Sequence, residues 1–299
     1  MNHRGGFLSV TLGLATRQVV RLLRSPPLLV PSILFPLIMF AAFTGPVSAI
    51  GRSPRFGYPD YTAFILVFVL MQGAVFAGVL VGVALADDFE GGLAKRLMLA
   101  VPQRPAILLG YLLMAWIRTL VVAATLFAAG FIGGMTVRGS AIQLVGLVAL
   151  MLLFSTAAAL FAAGVALRTQ SVQASPLMQL PMLVLMLLMP VYSPRRLLQG
   201  WIHSVANVNP FTTIVEAGRG LLEAQPVSVW QAFAIVGGFL ALTAIWAMTG
   251  LRKAERTVPR AGGGRGARRR RRRPRGRRGA PPGARGRPSV TESGSAAST

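Results

Sequence analysis

Six long apolar runs, at residues 28–50, 61–86, 106–135, 141–167, 172–192 and 229–251, constrain this chain more than any other feature. A bilayer core about 30 Å thick is crossed by about 20 apolar helical residues, so each run is long enough to span it. A spanning β-barrel would alternate apolar and polar residues, whereas these runs are apolar all round. The expected fold class is therefore an all-α integral membrane protein with six transmembrane helices, in a domain over residues 28–251. The fifth run is short and contains Pro176, Pro181 and Pro190, which membrane helices tolerate.

Orientation follows from Lys and Arg in the short flanking segments. With the N-terminus inside, ten basic residues fall on the cytoplasmic side: Arg4, Arg17, Arg21, Arg24, Lys95, Arg96, Arg104, Arg168, Arg252 and Lys253. Six fall outside: Arg52, Arg55, Arg138, Arg195, Arg196 and Arg219. Both termini are expected in the cytoplasm of a multi-pass cell-membrane protein. A signal peptide cleaved near Val47-Ser48-Ala49 is the competing reading of the start. The basic stretch is too long for one and Pro31 and Pro36 interrupt the apolar run. Within residues 1–27, Leu8, Leu12, Ala15, Val19 and Leu22 recur at helical spacing opposite Arg17, Arg21 and Arg24, the pattern of an interfacial amphipathic helix. Small residues also recur every four positions at Ala74, Gly78, Gly82 and Ala86. These permit close helix approach, within one bundle or between two chains.

Charge adds a second object. The formal net charge is +23, although only 13% of residues are charged and 54% are hydrophobic. Ordinary soluble domains carry about 25% charge, so a soluble enzyme fold is excluded. From residue 256 onward there are 14 Arg and one acid, Glu292. Residues 252–299, rich in Arg, Gly and Pro, are expected to be a disordered cytoplasmic tail. Arg268 to Arg273 would attract anionic lipid. No aromatic residue in the tail offers a base-stacking platform, so no specific nucleic acid is expected.

Candidates for chemistry are few. The spans hold no acid except Asp60 and Asp87 near their ends, there is no Cys, and the two His are too few for a His-based metal site. The scarcity of intramembrane acids counts against a stand-alone ion-coupled carrier or channel. Arg118 is the one basic residue that could fall within a span, and its cost at mid-bilayer favours a place near the cytoplasmic end, a snorkelling conformation or a bundle-facing one. Only Lys95 and Lys253 are lysines, preceded by Ala94 and Arg252, so the chain holds no P-loop. It is expected not to be an enzyme and to bind no cofactor. ATP hydrolysis, with its Mg, would belong to another chain.

The loop between the second and third spans is the most informative polar stretch. Asp87, Asp88 and Glu90 precede Lys95 and Arg96, the order a helix dipole favours. Phe89, Leu93 and Leu97 make an apolar stripe, Gly91 and Gly92 permit a bend, and Pro102 and Pro105 stop the helix. This is a short amphipathic helix suited to docking a soluble partner. Nearer the C-terminus, Asn209 can cap a helix that begins at Pro210, with Glu216 and Arg219 spaced to pair.

These residues resemble the type-2 ABC transporter permeases, in particular the drug-exporter branch related to daunorubicin resistance permeases. Glu90, Gly91, Leu93, Arg96, Leu97, Pro102, Arg104 and Gly110 match its loop pattern. Arg21-Leu-Leu-Arg-Ser-Pro26 with Ile33-Leu-Phe-Pro36 is similar to its first-span entry, and Asn209-Pro-Phe-Thr-Thr213 with Glu216 and Arg219 to the element before its last span. Gly92 departs from the more usual Thr or Ser. The resemblance implies a homodimer or heterodimer of permease subunits working with P-loop ATP-binding subunits to move a drug, antibiotic, lipid or, in a wider branch, a polysaccharide. Residues 87–104 would be the coupling helix, and the helices around 195–224, with Asn209, Pro210, Glu216 and Arg219, an extracellular gate.

Overall fold

A computed structural model describes residues 3–24, 26–45, 51, 56–100, 105–189, 191 and 194–257. The Arg-rich tail, Pro102 and Arg104 lie outside the described residues. The described residues contain helices and no strand: α1 (His3–Arg24), α2 (Pro26–Thr44), α3 (Tyr61–Glu90), α4 (Leu93–Ala100), α5 (Pro105–Ile132), α6 (Ala141–Thr169), α7 (Ser175–Leu187), α8 (Trp201–Val208), α9 (Pro210–Leu222) and α10 (Val229–Thr257). Short 3-10 turns at Val172–Ala174 and Arg195–Leu197 join α6 to α7 and precede α8. Four helices, α3, α5, α6 and α10, are long and apolar enough to cross a membrane. Apolar stretches at Ile33–Thr44 and Val172–Leu187 are shorter.

Helix α3 is the axis of the bundle. From Ala63 to Met71 its side chains are almost wholly buried, and α6, α5, α2, α7 and α9 surround it. At 1.5 Å per residue its 30 residues reach about 45 Å, longer than a bilayer core, so its polar ends project beyond the hydrocarbon. Asp60 sets the start, its Oδ1 accepting from Thr62 N at 2.8 Å and Ala63 N at 3.3 Å. Such a cap satisfies backbone donors that the first turn leaves free.

The most extensive packing is between α3 and α6. A Cβ on Gly78 would overlap the Ser155 carbonyl oxygen, and one on Gly82 would lie 2.6 Å from the Ala162 carbonyl carbon. The small-residue stripe thus has its partner inside the chain, where Ala158, Ala159 and Ala162 of α6 are fully buried. Thr119 of α5 donates to Ser155 Oγ at 2.8 Å, adding a hydrogen bond within the same layer. At its far end α6 is held to α10: Arg168 lies over the Trp246 ring, 3.6 Å from its centre, and donates to Thr249 Oγ1 at 2.7 Å. A Cβ on Gly164 would overlap the Trp246 ring.

Overpacking a close helix contact costs about 1–3 kcal/mol. Gly78→Val is therefore expected to lower the thermal midpoint of the detergent-purified protein. Gly237→Ala in α10, where the added Cβ meets nothing within 4 Å, should leave the midpoint unchanged or raised.

Candidate functional site

The two ends of α3 carry the polar structure of the molecule. At the C-terminal end the helix runs on through Asp87, Asp88, Phe89 and Glu90, Gly91 caps it, and Gly92 takes a left-handed φ of +74° before α4 begins. The expected single helix over 87–104 is therefore two elements meeting at a glycine turn. All three acids belong to the last turn of α3, and the separate short helix is described over Leu93–Ala100.

Asp88 faces inward and is 4% exposed. Arg17 of α1 approaches both oxygens, Nη2 at 3.1 Å from Oδ1 and Nη1 at 3.3 Å from Oδ2. Gln18 Nε2 donates to Oδ2 at 3.1 Å, and the Tyr111 hydroxyl of α5 donates to the same oxygen. One carboxylate thus ties three helices together. The α1–α5 contact is close because Gly110 lacks a side chain: a Cβ there would sit 2.8 Å from Leu14 Cβ. Thr11 Oγ1 also donates to the Ala106 carbonyl at 3.2 Å. Glu90 turns the other way. Its Oε1 accepts from Ser171 Oγ and Val172 N, both at 2.8 Å, fixing the α6–α7 connection to the end of α3.

These bonds give two of the three acids partners within the chain, with Asp88 buried and Glu90 still exposed. Asp88 and Glu90 brace the chain internally, and Asp87 is half-buried. Helix α4 buries Ala94 and Met98, half-buries Leu93 and Leu97, and exposes Lys95, Arg96 and Leu99. Its open face is basic and apolar.

At the other end, α9 is embedded. Phe211 packs edge-on against Phe154, midway along α6, with ring centres 4.8 Å apart, and against Phe239 of α10 at 5.6 Å. Nearly every side chain from Phe211 to Leu222 is buried. This excludes a helix resting on the bilayer surface. Asn209 makes the buried start possible: its Oδ1 accepts from Phe211 N at 3.0 Å and its Nδ2 donates to the Leu185 carbonyl at 2.8 Å. Pro210 occupies the first turn, where no amide donor is needed.

The expected Glu216–Arg219 pair does not form. Glu216 meets Arg195 at 3.6 Å, and Arg195 also donates to Asn207 Oδ1. Arg219 is 1% exposed and turns onto α3. Its Nε donates to the Phe64 carbonyl at 3.1 Å, its Nη2 to the Val191 carbonyl at 3.3 Å, and its guanidinium lies 3.4 Å from the centre of the Phe64 ring. Burying α9 points the two side chains at different neighbours, which outweighs their spacing along the helix. Beside α9, a cleft of about 530 Å³ is lined by Leu185, Leu188, Ser204, Val205, Val208, Asn209 and Pro210.

Arg118 sits midway along α5 rather than near its end, half-buried between exposed Ile117 and buried Thr119. Arg17, Gln18 and Tyr111, which complete the Asp88 network, are functional candidates that spacing arguments missed, because their sequence separation from Asp88 is 23 to 71 residues. Glu223, which follows α9, was missed as well and is 2% exposed.

Four apolar helices long enough to span a bilayer, with a cross-braced helix assembly at one end and a buried helix at the other, are the architecture of a polytopic membrane protein. The ABC-2 type transporter family model matches residues 10–222, and the chain belongs to that family. It is also similar to the daunorubicin resistance ABC transporter permease protein DrrB1 of Streptomyces coeruleorubidus, with 24% identity over 245 residues, covering 82% of this chain and 85% of that protein.

Removing a buried acceptor from bonded donors costs about 1–3 kcal/mol. Asp88→Ala should therefore lower the thermal midpoint and expose α1 to limited proteolysis. Lys95→Ala, on the open face of α4, should change stability by less than about 0.5 kcal/mol.

Proposed function

We propose that the chain is the membrane-spanning subunit of an ATP-driven exporter, moving a hydrophobic or amphiphilic compound such as a drug, antibiotic or lipid out of the cell. Two copies, or this chain and a homologous one, act with P-loop ATP-binding subunits that hydrolyse ATP with Mg. The α4 end faces the cytoplasm and the α9 end the outside. In this reading α2 and α7 supply the first and fifth of six spans. Helix α2 is 19 residues, about 28 Å at 1.5 Å per residue. Helix α1 and the end of α10 lie at the same end of the bundle, through Arg17 to Asp88 and Thr249 to Arg168, which supports two cytoplasmic termini.

The observation that carries the proposal is the Asp88 junction beside an open α4 face. A partner pressing on Lys95, Arg96 and Leu99 would push a helix continuous, through the Gly91-Gly92 turn, with the central helix. Because Asp88 ties α1, α3 and α5 into one piece, the displacement would be shared by all three rather than dissipated in a loop. Helix α9 wedges between α3, α6 and α10 at the opposite end and serves as the extracellular gate, with Asn209 and Pro210 at its buried start and Arg219 on the central helix. The apolar cleft beside it is the part suited to a hydrophobic cargo.

The test pairs the chain in lipid nanodiscs with a P-loop ATP-binding subunit encoded next to it in the source genome. The wild-type chain should bind the ATPase and change its turnover. Lys95→Glu combined with Arg96→Glu should abolish both while leaving the thermal midpoint of the chain in place. Unchanged binding and turnover in that variant would contradict coupling through α4.

A further inference from the structure

The α9 end is closed by a clasp of backbone bonds around one acid. Asp60 Oδ2 accepts from Thr136 N at 2.9 Å, which ties the start of α3 to the α5–α6 connection. From the same connection, Arg138 N and Gly139 N donate to the Leu222 carbonyl at 3.3 and 2.9 Å, which ties it to the end of α9. The approach is so close that a Cβ on Gly139 would overlap the Leu221 carbonyl oxygen. Glu223 is the next residue. Both of its carboxylate oxygens are shut off from solvent and have no hydrogen-bond partner among the described residues. A bare buried carboxylate is costly, whereas its neutral form is far less so.

We propose that Glu223 is a proton-binding site that locks the extracellular mouth: protonated, it stays seated in the clasp, and ionised, it drives the clasp open to reach water. The assignment rests on the orientation given under the proposed function. Burial pushes the Glu223 carboxyl up to about 7, the nearby Asp60 carboxylate adds to the rise, and Arg138 opposes it. Among the described residues, Asp60 and Arg138 are the ionisable groups whose charge acts on it. Glu216 pairs with Arg195, Arg219 turns onto Phe64, and the adjoining first turns of α6 and α10 carry no ionisable side chain. A carboxyl whose pKa is raised in the closed state favours closure at acidic pH, and that preference is lost as the outer pH rises through about 7. With an ordinary carboxylate pKa in the open state, the ratio of open to closed changes about tenfold between pH 6 and pH 8. Acid outside would then hold the transporter shut, and neutral to alkaline medium would release it.

The chain contains no Cys, so one introduced thiol reports alone. Leu222→Cys, at a fully buried position, is treated with a membrane-impermeant maleimide on intact cells expressing the full chain. Its rate is divided by that of Gln225→Cys, an exposed neighbour, which removes the intrinsic pH dependence of the thiol. The normalised rate should rise about tenfold from pH 6 to pH 8. In Glu223→Gln it should stay low and flat, with Gln225→Cys still labelled to the same extent as proof of insertion. Arg138→Gln, which keeps Glu223, should move the midpoint to higher pH. A pH-independent rate in the parent, or an unchanged pH response in Glu223→Gln, overturns the proposal alone. Failure of Gln225→Cys to label from outside overturns the orientation as well.

Discussion

Burial of α3 along most of its length is the constraint on which the rest depends. A helix surrounded by others along most of its length cannot carry large side chains on every face, and Gly78 and Gly82 are where α6 comes closest. Within hydrocarbon there is no hydrophobic gain from bringing two apolar helices together, so association depends on close contact and on hydrogen bonds. The Gly and Ala surfaces of α3 and α6 supply the first. The Thr119–Ser155 bond supplies one of the second without placing a charge in the layer.

Because the axis is fixed, its two ends can be specialised. Asp88 and Phe64 lie on the same helix, one bound to Arg17, Gln18 and Tyr111, the other beneath Arg219. At each end a buried charged group bonds to segments distant in sequence, Asp88 to α1 and α5 and Arg219 to the Phe64 and Val191 carbonyls, which turns an expensive group into a junction. Glu223 breaks that pattern. Its isolation beside a clasp of backbone bonds makes protonation, rather than an ion pair, its route to neutrality.

Much of the architecture was legible in the chain. The cores of α3, α5, α6 and α10 coincide with apolar runs, Asn209 caps α9, and the Gly91-Gly92 turn falls where the glycines stand. The polar contacts were less legible. Charge order suggested that Asp88 and Glu90 faced a partner, yet both bind within the chain. Their partners, from Arg17 to Val172, are distant in sequence and become neighbours only when α1 and the α6–α7 connection close on α3. Helical spacing paired Glu216 with Arg219, and burial of α9 turns them instead to Arg195 and to Phe64. Local periodicity encodes which face of a helix is apolar. It does not encode which other helix meets that face.

On the proposed function, the ATP-binding subunit acts on α4, at the end of the axis braced by Asp88. This contact is tested most directly by site-specific cross-linking from Leu99→Cys, an exposed residue of α4 in a chain without other thiols. In membranes that contain both subunits, a short bifunctional reagent should join this position to the ATPase with a yield that changes between the ATP-bound and nucleotide-free states. Absence of the cross-link in a complex that still hydrolyses ATP and exports its cargo would contradict the account.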